Sequence, residues 1–111
     1  MSRLADWGDR GVVLRMLEVP NVNLTLGVIK VMTEWARDER DPVIVQELVR
    51  LTEPRCALPI RVAAISALSQ SRTHERKVVE QLRRLLNDRE DAIVGVVEDA
   101  MSDLNIPLAR Q

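Results

Sequence analysis

Few residues in this sequence are of types that do chemistry, and their spacing brings few of them together. His74 is the only histidine and Cys56 the only cysteine. A bound zinc takes three or four closely placed N, S or O ligands. His74 opens a polar stretch with no second His or Cys at ligand spacing, so it reads as a surface histidine. Cys56 follows Arg55, and a neighbouring cation favours a thiolate. No general base is spaced to serve it, so it reads as a structural thiol. The adjacent carboxylates Glu90-Asp91 and Glu98-Asp99 would point to different faces of a helix and read as solvated charge. None of the four glycines is spaced for a phosphate-cradling loop. The expectation is no catalytic residue, no metal ligand and no cofactor.

Cations give a second candidate. Arg76, Lys77, Arg83 and Arg84 stand at i, i+1, i+7 and i+8, which is one sector of a helix, with Arg72 one turn earlier. Such a row could grip phosphates by displacing counterions. Glu75 and Glu80 interrupt it, and 16 Lys+Arg against 17 Asp+Glu leave no surplus to draw in nucleic acid. The only aromatic residues are Trp7 and Trp35. Each either caps the core or stands exposed as an anchor for a partner.

The elements that position these residues are helices. With no Phe or Tyr, the core must be built from Leu, Val, Ile, Ala and Met, and few Gly interrupt them. At 111 residues a single domain, 1–111, is expected. One cysteine without a partner fits a reducing compartment. The start lacks the apolar core of a secretory signal, and no apolar run approaches the ~20 residues that span a bilayer. A cytoplasmic protein without membrane contact is expected.

Val12, Val13, Met16 and Leu17 share one helical face, closed by Pro20. Asn21 or Asn23 would cap a second helix over about Leu24–Arg37, with Leu24, Val28, Val31, Met32 and Trp35 inward. Gly27 within it costs roughly 1 kcal/mol against Ala, with close approach of a neighbouring helix as the expected compensation. Residues 38–41 are wholly charged and read as a solvated turn. Asp41-Pro42 starts a third helix, which Pro54 closes, and Pro59 opens a fourth to about Ser69. Ser71 or Thr73 would cap a fifth carrying Val78, Val79, Leu82, Leu85 and Leu86. The last carries Ile93, Val96, Val97, Ala100, Met101 and Leu104, with Asn105 suited to a left-handed C-terminal position. This makes an all-α chain of about six helices in three pairs.

The second helices of the three pairs repeat one another. Leu24, Ile60 and Ile93 align, as do Gly27, Ala63 and Val96; Val28, Ala64 and Val97; Val31, Ala67 and Ala100; and Met32, Leu68 and Met101. A recurring helix pair marks stacked units that bury their faces against neighbours. Pro59-Ile60-Arg61-Val62-Ala63-Ala64-Ile65-Ser66-Ala67-Leu68 resembles the second helix of a HEAT repeat, and the units resemble the short bacterial HEAT-like class. The likeness is strong in the second unit, fair in the third and weak in the first, where Thr25 replaces Arg. It implies a right-handed αα superhelix of three HEAT-like pairs, units about 8–37, 41–70 and 73–105; a compact helical bundle is the alternative. It also implies a ladder in which the second-helix Arg pairs with an Asp of the next unit. Arg61 matches the Arg. The Asp position falls on Asp88 in the third unit, but on Arg55 in the second and Val19 in the first.

Stacked second helices display their outward side chains in register. Those rows are Lys30, Ser66 and Asp99; Thr33, Ser69 and Ser102; and Glu34, Gln70 and Asp103. The leading expectation is a non-enzymatic interaction module, a scaffold or adaptor holding a peptide or protein on Lys30, Glu34, Trp35, Ser66, Gln70, Asp99 and Asp103. Weak self-association through the open ends of the stack is a further expectation. One alternative is a HEAT-like phosphate binder using Arg72, Arg76, Lys77, Arg83 and Arg84. Another is a HEAT subunit similar to bilin lyases, for which no residue here carries the activity over.

Overall fold

The structure, a computed structural model, describes residues 10–108. Six α-helices follow in order: α1 Arg10–Arg15, extended by a 3-10 turn over Met16–Glu18; α2 Val22–Glu39; α3 Pro42–Arg50; α4 Leu58–Ser71; α5 Arg76–Leu85; and α6 Asp91–Asp103. Among the described residues there is no strand.

Local chemistry accounts for most of the helix ends. Asn21 caps α2, its Oδ1 accepting from the Leu24 amide at 3.0 Å. Asp41 caps α3 by accepting from the Val43 amide at 2.9 Å, ahead of Pro42 in the first turn. Asn105 is left-handed, with φ 59°, as anticipated. Arg40 and Arg72 also cap their helices in the left-handed region, at φ 52° and 54°, a conformation that favours Gly or Asn.

Several expectations are corrected. The charged stretch 38–41 is only partly a turn, since Asp38 and Glu39 complete α2. The chain leaves the helix at Arg40 because Asp41, ahead of a proline, must be extended. Neither Ser71 nor Thr73 is the N-cap of α5. Ser71 ends α4, its hydroxyl donating to the Leu68 carbonyl at 2.7 Å, and Glu75 occupies the cap position without a side-chain bond. Gly27 is exposed, and a Cβ there would meet nothing within 4 Å, so no helix approaches it. Leu24 is likewise 36% exposed, and the buried side of α2 is instead Thr25, Val28, Ile29, Met32, Thr33, Trp35 and Ala36. The expectation for Trp7 lies outside the described residues.

The second helices pack in succession, α2 against α4 and α4 against α6, while α3 packs on α2 and α4, and α5 on α3 and α6. Helix α4 is thus flanked on both sides, which is why apolar residues run nearly all round it. Ala64 and Ala67 are buried in it beside the fully buried Ile65 and Leu68. Two of the five aligned rows are buried throughout, Val28, Ala64 and Val97, and Met32, Leu68 and Met101; the rows of Leu24, Gly27 and Val31 are exposed or half-buried in the first unit.

Candidate functional site

Of the outward second-helix residues, Lys30, Glu34, Gln70, Asp99 and Asp103 are exposed and Ser66 is half-buried. Ser66, Gln70, Asp99 and Asp103 come together with Ser69, Val96 and Ala100 around a groove of about 180 Å3 between α4 and α6. It adjoins a hollow of about 420 Å3 to which Arg37 and Arg72 add their guanidinium groups. Ser69 Oγ donates to Asp103 Oδ2 at 3.1 Å, bridging the two helices. Helix α6 carries Asp91, Glu98, Asp99 and Asp103 and no Lys or Arg. Asp103 is in its last turn, where the helix dipole disfavours negative charge.

Two residues of the anticipated surface are elsewhere. Trp35 is 8% exposed, and the Arg10 guanidinium lies 4.7 Å from its ring centroid. Arg10 is itself held by Glu39 and Asp41, so the tryptophan is roofed by a fixed cation and is no exposed anchor. Thr33 is buried and its hydroxyl donates to the Ile29 carbonyl at 2.7 Å. Lys30 and Glu34 remain on the open side of α2, apart from the α4–α6 groove.

Arg61 is 3% exposed and meets Asp88 through both terminal nitrogens, Nη2 to Oδ2 at 2.5 Å and Nη1 to Oδ1 at 3.3 Å. Its Nε donates to the Thr52 carbonyl at 2.8 Å. Asp88 Oδ1 also accepts from the Glu90 amide at 2.9 Å, tying the entry of α6 to the pair. The Arg61 hydrogen bonds hold the Asp88 carboxyl below the usual carboxylate range, against the opposing effect of burial. Satisfied on each side, the two charges can remain ionised out of water.

The network continues through residues whose types gave little warning. Gln81, 6% exposed, donates from Nε2 to Thr52 Oγ1 at 2.9 Å and accepts from Arg84 Nη1 at 2.6 Å. The Thr52 hydroxyl donates to the Val49 carbonyl at 2.6 Å. The available sequence signal was position, because Gln81 lies on the Val78–Leu82–Leu85 side of α5.

The five cations do not form one row. Arg72 caps α4 and is separated from α5 by the Thr73–Glu75 turn, so it faces the α4–α6 side. Arg76 and Lys77 line a groove of about 580 Å3 between α3 and α5. Arg84, two turns on, faces a different cleft, and Arg83 is exposed beside it.

His74 Nε2 lies 2.7 Å from the Leu104 carbonyl, to which it must donate, pinning the end of α6. Cys56 is half-buried, with Sγ 3.9 Å from the Arg50 carbonyl. Among the described residues, no three His, Cys, Asp or Glu side chains are grouped to hold a metal. No helix of the described residues is long and apolar enough to cross a membrane. Compared with protein-family models, with curated proteins and with solved structures, the chain matches none.

Proposed function

We propose that this chain is a non-enzymatic, HEAT-like interaction module whose second helices hold a peptide or protein partner. The observation that carries the reading is the convergence of Ser66, Gln70, Asp99 and Asp103 on one groove between α4 and α6. Repeating helix pairs present such residues in register, so an extended partner meets the same kind of site from one unit to the next. Asp99 and Asp103, the two carboxylates of α6 that line the groove, select a segment with basic character. Keeping Asp103 at a helix C-terminus works against stability, which suits a residue retained for binding.

The test is capture of partners from native cells by the wild type and by Asp99→Lys with Asp103→Lys. The expected result is a discrete protein retained by the wild type, also after nuclease digestion, and lost from the variant, while the melting temperature is not lowered. Capture that vanishes with nuclease, or that survives the double reversal, overturns the reading.

A further inference from the structure

A second concavity, of about 900 Å3, lies at the opposite ends of α4 and α6, where the turn after α3 faces the turn between α5 and α6. Its size is within the range of small-ligand and peptide-residue sites. Arg55, Arg61, Arg84 and Arg89 line it against Glu53, Asp88 and Glu90, a surplus of one positive charge. The pairing within this set is unequal. Arg61 is spent on Asp88, and Arg55 pairs with Glu53 at 3.1 Å. The Arg89 guanidinium has no hydrogen bond or ion pair among the described residues. Arg84 uses only Nη1, which Gln81 holds. Gln81 is buried and bonded in turn to Thr52, so this guanidinium is fixed at one corner by the interior of the protein.

What Arg84 leaves unspent is its Nε–Nη2 edge, two parallel N–H groups at the spacing of a carboxylate's two oxygens. We infer that this cleft is a docking site for a carboxylate-bearing peptide, with one Asp or Glu side chain on the Arg84 edge and Arg89 closing over it. The charge balance chooses the ligand. A single carboxylate neutralises the surplus, whereas a phosphate dianion overshoots it beside Glu53 and Glu90. The site is distinct from the α4–α6 groove and stands whether or not that groove binds a partner.

The full chain, labelled with 15N, is titrated with the singly charged peptide acetyl-Gly-Gly-Leu-Glu-Gly-amide to about 10 mM, a range that covers millimolar affinity. Parallel titrations use the Gln counterpart, the phosphoserine counterpart and inorganic phosphate. The expected result is a saturable shift of the Arg84 and Arg89 side-chain Nε–H signals with the Glu peptide and none with the Gln peptide. Binding should weaken by about tenfold or more in Arg84→Gln. Arg84→Lys should weaken it comparably, because a lysine keeps the charge but loses the fork. Arg76→Gln, at the other end of α5, and Asp103→Asn should leave it unchanged. Tighter binding of phosphate or of the phosphoserine peptide, wild-type affinity in Arg84→Lys, or no shift at either arginine overturns the assignment.

Discussion

Asp88 sits in the fork of Arg61 across the joint between the second and third helix pairs, and the two side chains are 9% and 4% exposed. Removing one partner strands the other, and breaking a buried pair in this way costs about 3–5 kcal/mol. Asp88→Ala should lose stability of that order in urea unfolding. A loss below ~1 kcal/mol, the range of exposed pairs, would mean that water reaches the fork.

The same pair sets a pH dependence. Because the folded Asp88 carboxyl is held below its ordinary value, its stabilisation is fully present above the unfolded value near ~3.9. It is lost as pH falls through the depressed folded value. The melting temperature of the wild type should therefore exceed that of Asp88→Asn by a constant margin at neutral pH, and the margin should shrink below about pH 4. A margin that is flat down to pH 2 would exclude Asp88 as the titrating group.

Much of this arrangement was legible in the sequence because it rests on local rules or on the repeat. The Asp41 and Asn21 side chains cap backbone amides two and three residues on, and the Arg61–Asp88 pair was an expectation that the resemblance to HEAT repeats implied. Thr52 and Gln81 were not legible, since a polar residue beside an apolar stripe carries no periodic mark and its partner is 29 residues away. The burial of Trp35 depends on Arg10, from a different helix, and the left-handed Arg40 and Arg72 carry none of the Gly or Asn signal for such caps. The outward second-helix surface was half legible: periodicity supplied its rows but not how Thr33 of α2 would turn inward.

Gly27 and Gly95 offer an independent check on packing. Both are exposed within helices, and an added Cβ meets nothing within 4 Å at either. Gly27→Ala and Gly95→Ala should each stabilise by up to about 1 kcal/mol in denaturant unfolding. Destabilisation by either would place a neighbouring group where the structure has open space.

Ala64 and Ala67 are 0% and 2% exposed in the central helix. Leucine at either position should overpack the contact with the flanking second helices and cost roughly 1–3 kcal/mol. Calorimetric melting of Ala64→Leu and Ala67→Leu reads this directly. Unchanged transitions would mean that the helices separate without loss, against the observed burial.

Packed aliphatic ridges and grooves hold a helix crossing angle only to within about 15–20°, whereas hydrogen bonds weaken steeply away from alignment. The joint between the second and third pairs, with the Arg61 fork at its centre, therefore resists twisting in a way its aliphatic surroundings do not. At the preceding joint Thr25 and Arg55 hold the equivalent positions, and the charged connection is the partly exposed Arg10 clasp on Glu39 and Asp41. The molecule is torsionally uneven: under load its first helix pair should swivel while the second and third turn as one body.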